Sequence, residues 1–311
     1  MSKVAKQNLL MSTLFRLLAW TPLPLLYVYA ELLHFVTYHV LRWRVALARR
    51  NLAGAFPEKS AAQREVILRS SYRHLARTLM EAIWGSRANA EELRRRVVFE
   101  NPEVIDAYKA AKQSVVLLTA HVCNWEWLLL AAGARFGIPI DAVYKTLRLK
   151  VVDAFSREMR SRFGGNPIPF ENVVFELLKR AGEARAYGML ADQTPIRRMP
   201  KYWTMFLNRE TAFFLGPERI ARFLDAPVLY VEMKRSGKGH YVVRLHELAA
   251  PPYEETPAGG AEAYARRLEA TIRAHPADWL WIHNKWKYPR PPGEPLAAVA
   301  DRGRGRPSRG G

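Results

Sequence analysis

His121, Val122, Cys123, Asn124, Trp125 and Glu126 form the segment of this 311-residue chain whose residue types carry the most chemistry. An imidazole near a carboxylate can act as a general base. The carboxylate keeps one ring nitrogen protonated and steadies the imidazolium, while the other nitrogen takes a proton from a nucleophile. On one continuous helix, residues five apart are rotated about 140° from each other. A His121–Glu126 pair therefore needs His121 on a loop, with Glu126 in the first turn of the helix that follows. The sequence supplies that break. Residues 114–120 (SVVLLTA) are a short apolar, β-branched run that predicts a buried strand. Asn124 suits the N-cap of a helix over residues 124–136, which Gly137 stops. A histidine just past a strand's carboxyl end lies where open α/β sheets place their ligands. Cys123, the only cysteine, is the alternative nucleophile for a thioester route. That route is not expected, because adjacent residues usually point apart and no Ser or Cys has a G-x-S-x-G context.

The flanking pattern alternates strands and helices. Helices are expected over residues 60–85 (Ser60 as N-cap), from Asn101-Pro102 onward, and over 147–163, 171–182, 210–224 and 260–275. Strands are expected at 138–145 and 184–191, with a hairpin of 227–235 and 240–248 around Ser236, Gly237, Lys238 and Gly239. This predicts an α/β fold, a mainly parallel or mixed sheet flanked by helices, with the hairpin at one edge. A single cysteine excludes intramolecular disulfides and Cys-rich zinc modules. The spacings of His34 with His39 and of His240 with His246 suggest no metal site.

Lys and Arg number 48 against 29 Asp and Glu, a net charge of +19. So basic a chain points to a polyanionic partner: an anionic membrane face, a phosphorylated substrate or nucleic acid. No RNP-like or helix-turn-helix signature is present, so nucleic acid is not expected. Residues 17–41 are apolar apart from Glu31, His34 and His39, and Arg42, Arg44, Arg49 and Arg50 follow. Twenty-five helical residues would span about 37 Å, but Pro22 and Pro24 would kink them and Glu31 is costly at bilayer depth. A kinked, membrane-associated helical segment over residues 1–45, lying in one leaflet, fits this pattern at least as well as a span, with Trp20, Tyr27, Tyr29, Tyr38 and Trp43 as interfacial anchors, and a buried core helix is the remaining alternative. Residues 46–289 then form the main domain, and the Pro-, Gly- and Arg-rich residues 290–311 a disordered basic tail.

Five ordered blocks carry a resemblance. They are Arg49 to Leu52 with Ala55 to Glu58, His121 to Trp127, Ala191-Asp192-Gln193, Phe206-Leu207 with residues 210–216, and Trp281 to Lys287. Together they resemble the bacterial lipid A late acyltransferases, the lauroyl/myristoyl transferase family, within the wider group of glycerolipid acyltransferases that share H-x4-D/E. Cys123, Lys145, Ala191 and Asn284 stand where the family usually has Gly, Arg, Pro and Arg. Other acceptors, namely a lysophospholipid, an aminolipid or a mannosylated lipid, are therefore kept as alternatives.

The resemblance implies a glycerolipid-acyltransferase-like fold and O-acyl transfer from a thioester, acyl carrier protein or acyl-CoA, with no cofactor. The implied acceptor is a hydroxyl of a phosphorylated glycolipid, Kdo-lipid IVA, and the implied location is the cytoplasmic face of the bacterial inner membrane. His121 would be the base, Glu126 its orienting carboxylate, and Arg160 the donor to the tetrahedral oxyanion. Asp192 and Gln193 would order the site and, with Asn124 and Arg162, bind substrate, and His283, Lys285 and Lys287 would hold acceptor phosphates. Arg197, Arg198 and Lys201, with Tyr202 and Trp203, form a basic-aromatic loop after Asp192, either a lid over sugar phosphates or an interfacial contact. The acidic carrier protein and anionic lipid are the partners that +19 would attract.

Overall fold

The computed structural model describes residues 3–180, 182–253 and 259–297, apart from the side chains of residues 3–10. The prolines divide the N-terminal apolar segment as its sequence predicts. Helix α1 (Lys3–Trp20) stops, and α2 (Leu23–Phe35) restarts with Pro24 in its first turn. A π turn, Val36–Val40, closes it. The buried face of α2 (Leu23, Leu26, Tyr27 and Ala30) packs on α4. Helix α3 (Val45–Ala55) precedes α4 (Ala61–Gly85), whose start is fixed by a reciprocal cap: Gln63 N donates to the Ser60 side chain and Ser60 N to the Gln63 side chain.

The chain continues as α5 (Ala90–Arg96), β1 (Val97–Phe99), α6 (Glu103–Ala110), β2 (Val115–Thr119), α7 (Trp125–Phe136), β3 (Ile140–Tyr144) and α8 (Lys150–Arg160). Then follow β4 (Gly165–Pro169), α9 (Val173–Lys179), β5 (Ala186–Leu190), β6 (Lys201–Phe206), β7 (Arg209–Phe214), α10 (Gly216–Phe223), β8 (Val228–Gly237), β9 (His240–Ala249) and α11 (Gly259–Ala274).

Seven strands form one sheet in the order β1-β9-β8-β2-β5-β3-β4, parallel except for the β8–β9 hairpin. The central strands β2 and β5 are apolar runs because the sheet is covered by helices. The hairpin is not at the edge. Three residues of β1 pair with β9 (Val97 opposite Tyr241), a short strand that blunts the edge and is too brief to read from periodicity.

A separate two-stranded hairpin, β6–β7, replaces the first part of the helix expected over residues 210–224. Its turn residues, Leu207 and Asn208, both have positive φ (49° and 62°), as a type I′ turn demands. The usual glycine is missing, so the turn has no sequence signature. Full burial of Leu207 and the bond from Asn208 Nδ2 to the Ala55 carbonyl, 3.1 Å, hold the strained backbone in place. Residues 290–297, the start of the predicted tail, lie against this hairpin: Ala297 N donates to the Trp203 carbonyl and Arg290 pairs with Glu210. The rest of the tail, residues 298–311, lies outside the described residues.

The register of β2 and β5 places the site. Thr119 is opposite Leu190, so His121 and Asp192 leave the same edge of the sheet, each two residues past its strand.

Candidate active site

Asp192 holds His121 from two sides. Its Oδ1 lies 2.8 Å from His121 Nδ1, and its Oδ2 accepts from the His121 backbone N–H at 3.1 Å. The indole Nε1 of Trp279 donates to the same Oδ2 at 2.9 Å. Burial alone would raise the carboxyl. The His121 charge, with the hydrogen bonds from His121 and Trp279, outweighs it and holds Asp192 at about 2. A carboxylate only accepts, so Nδ1 carries the proton and Nε2 presents its lone pair. Gln193 Nε2 lies 3.3 Å from that lone pair, and the ring of Trp125 packs edge-on at 5.0 Å between centroids. His121 keeps 17% side-chain exposure against 3% for Asp192, so the imidazole is the reachable end of the pair.

The expected contact between His121 and Glu126 is therefore corrected. Asn124 caps α7, accepting from Trp127 N at 2.9 Å, and Cys123 takes a left-handed φ of 53°. That turn leaves His121 facing β5 and sends Glu126 toward α8. There Arg160 grips it with two nitrogens, Nε to Oε2 at 2.9 Å and Nη2 to Oε1, and Trp125 Nε1 donates to Oε1 at 3.2 Å. Both side chains are largely buried. The guanidinium also lies over the Tyr144 ring, 5.4 Å from its centroid.

Other predicted site residues have partners in the fold. Asn124 is fully buried and its Nδ2 donates to Glu81 at 2.8 Å. Arg162 donates to the carbonyls of Gly85 and Ala88, both at 2.7 Å, closing the end of α4. His283 Nε2 accepts from Thr194 N at 3.1 Å, and burial pushes its pKa down to about 4, so it is neutral. Lys285 is buried, donating to the carbonyls of Gln193 (3.1 Å) and Ala212 (2.9 Å), and burial lowers it to about 7. His283 and Lys285 brace the loop after Asp192, and Lys285 also lines the groove beside Thr194. Lys287 is exposed, with its ammonium over Tyr288.

Cys123 is buried, its Sγ 3.4 Å from the Met233 carbonyl, and burial first of all pushes the thiol well above its ordinary pKa. A thiol held that way is a poor nucleophile. Cys123→Ala is expected to keep turnover of the same order, and iodoacetamide to leave the folded protein active; loss of activity in either assay would restore the thioester route.

Trp279, whose indole holds Asp192, is a residue of the candidate site that the sequence reading passed over. A short 3₁₀ turn, Pro276–Asp278, delivers it, its backbone bridges Val122, and Asp278 O accepts from Cys123 N at 3.0 Å. No local pattern shows this contact, which spans 87 positions. Asp192 had a usable signal: it stands at the same offset past a predicted strand as His121. The sequence blocks converge here. Asn51 Nδ2 donates to the carbonyls of Trp281 and His283, both at 2.9 Å, and Arg44 to that of Ile282.

A carboxylate-held imidazole at the carboxyl edge of a parallel sheet, beside a buried arginine–carboxylate pair, has the chemistry of an enzyme that activates a hydroxyl for attack on a carbonyl. The model of the bacterial lipid A biosynthesis acyltransferase family matches residues 5–288, and the chain belongs to that family; it is an O-acyltransferase. It is 25% identical over 261 residues to the lipid A biosynthesis palmitoleoyltransferase of Escherichia coli (strain K12), covering 82% of each chain. It is 25% identical over 286 residues to the lipid A biosynthesis lauroyltransferase of the same organism, 88% of this chain and 89% of the other. A phosphatidylinositol mannoside acyltransferase of Mycobacterium tuberculosis (strain CDC 1551 / Oshkosh) is 24% identical over 247 residues, 76% of each.

Proposed function

We propose that this protein moves a fatty acyl chain from an acyl carrier protein thioester to a hydroxyl of a phosphorylated lipid A precursor, with His121 as general base and Asp192 as the carboxylate that orients it. The 2.8 Å contact between His121 Nδ1 and Asp192 Oδ1 carries this reading. The acceptor hydroxyl takes the place of Gln193 at Nε2 and gives up its proton as its oxygen attacks the thioester carbonyl. The C–S bond then breaks, and the imidazolium returns the proton to the leaving thiolate. Arg160, fixed by Glu126, faces the negative charge of the tetrahedral oxygen through Nη1, which makes no hydrogen bond among the described residues.

Membrane association rests on the surface of α1 and α2. Leu17, Trp20, Val28, Leu32 and Phe35 are each more than half exposed, and Leu41 and Trp43 extend the face toward Arg42 and Arg44. Among the described residues no helix is long and apolar enough to cross a membrane, and this face suits one that lies in the interface of an anionic leaflet. Glu31 is turned away from apolar contact by Arg73 and Arg77. Phe15 meets Phe155, so α1 adjoins α8, the helix that ends at Arg160. This contact supports a reading in which the reacting groups lie beside the lipid surface.

The mannoside acyltransferase likeness favours a second acceptor, a mannosylated phospholipid. The test offers acyl carrier protein thioesters with a panel of Kdo-lipid IVA, mannosylated phosphatidylinositol, lysophospholipid and aminolipid. Transfer to Kdo-lipid IVA at the highest kcat/KM is expected. Preference for any other acceptor overturns the lipid A assignment and leaves the base assignment standing.

A further inference from the structure

A groove of about 500 Å³ opens between the β6–β7 hairpin and residues 288–294, the size of a site for one small ligand. Arg197, Lys201 and Arg290 line it beside Trp203 and Tyr288. Glu210 and Glu294 also reach it; Arg290 pairs with the Glu210 carboxylate through Nη2 at 3.0 Å, and its Nη1 donates only to the Glu294 backbone carbonyl, so the Glu294 carboxylate meets no cation among the described residues. Arg197 and Lys201 meet no carboxylate among the described residues. Lys201 donates to the carbonyls of Arg197 and Met199, and Arg197 lies 5.8 Å from the Tyr288 ring centroid.

Two buried donors of groove residues have no acceptor among the described residues: Trp203 is 4% exposed and its indole Nε1 has no partner there, and neither has the buried Arg290 Nε. A buried N–H without an acceptor is destabilising, and an oxygen brought within its reach relieves that. Two cations without carboxylates and two orphan donors describe a site for an oxyanion. The groove also adjoins the reacting centre. Thr194 lies on its wall, and the preceding residue, Gln193, touches His121 Nε2.

We infer that this groove binds a phosphate monoester of the acceptor's headgroup, so that the phosphate anchors the molecule whose hydroxyl meets His121. The inference rests on the proposed function and names the acceptor feature that the protein reads. Arg197 and Lys201 neutralise the monoester, while Trp203 Nε1 and Arg290 Nε donate to its oxygens.

Binding is measured without turnover. The full chain is titrated with glucose 1-phosphate, inorganic phosphate and glucose, following the fluorescence of Trp203 and Trp286 on the groove wall. Glucose 1-phosphate is expected to saturate the signal at about tenfold lower concentration than inorganic phosphate, and glucose to give none. Arg197→Ala with Lys201→Met is expected to raise its Kd about tenfold or more, the loss of one charge-assisted hydrogen bond or more. Circular dichroism checks the fold of that variant, and the conservative Lys201→Arg is expected to restore most of the affinity. Equal affinity for phosphate and the sugar phosphate would make this a free-phosphate site and overturn the headgroup assignment. Absence of saturation, or binding by the double variant at wild-type strength, would overturn the site altogether. These results leave the base assignment untouched, whereas failure to acylate any hydroxyl would remove the proposed function and leave the phosphate titration as measured.

Discussion

Asp192→Asn is expected to lower kcat by about 10³-fold or more while leaving the fold intact, and His121→Ala to lower it at least as far. The two substitutions attack one device from opposite ends. The carboxylate of Asp192 fixes the proton on His121 Nδ1, with Oδ1 at 2.8 Å. An asparagine is the same size, but it can turn its NH₂ toward Nδ1. The ring then carries its proton on Nε2, where the acceptor hydroxyl needs a lone pair. The bonds from Trp279 and from the His121 backbone can persist on the amide oxygen, which limits the stability lost at neutral pH to about the 2 kcal/mol that the carboxylate's charge contributes. Acyl transfer assayed alongside near-UV circular dichroism separates these effects. Wild-type turnover in Asp192→Asn would remove Asp192 from the mechanism.

The same carboxylate makes a pH prediction. Its pKa is lowered from 3.8 to about 2 in the fold. A depressed carboxyl contributes stability above its unfolded value and loses it as pH falls through the folded one. That contribution, about 2 kcal/mol, is thus full above pH 4 and fades toward pH 2. Urea midpoints of wild type and Asp192→Asn should converge over that window.

Much of this arrangement was legible beforehand. The strand at residues 114–120, the Asn124 cap and the Gly137 stop all follow from local physics, and the structure shows them as β2, the α7 cap and a left-handed C-cap. His121 was singled out for a local reason, its position past a strand, and the structure puts it there. Its carboxylate contact was missed for the same reason. Glu126 is near in sequence, whereas Asp192 is brought close only by the pairing of β2 with β5, 71 positions apart. Strand order is a long-range property that periodicity does not encode.

The basic residues divide along similar lines. Net charge is read from composition, but use is set by burial. Arg162 spends its guanidinium on the end of α4, and Lys285 is sunk between Gln193 and β7, while Arg197 and Lys201 remain on a groove wall. The loop that carries Asp192 and Gln193 is thus tied on one side by Lys285 and by Thr194 with His283, and opens on the other into the basic groove. A loop so braced can hold the imidazole in register while the groove receives charge.

Glu126→Ala is expected to cost roughly 3–5 kcal/mol of stability and at least about 10² in turnover, although Glu126 does not touch His121. Removing it leaves Arg160 charged and largely buried with no counter-ion, the situation in which breaking one half of an ion pair is most costly. Arg160→Ala strands the carboxylate in the same way and removes the proposed donor to the oxyanion, so its turnover loss should be the larger of the two. Removing both leaves no buried charge unpaired. The double variant should therefore be less destabilised than the two single losses sum to, by 1 kcal/mol or more on the scale usual for residues in contact. Activity should not recover with stability, because the donor is gone. A helper that acts only through folding would recover both together. Thermal or urea unfolding of the four chains of this cycle, with kcat on each, tests the point: restored turnover in the double variant would show that the pair only props up the fold, and Arg160 would lose its place at the reacting carbonyl.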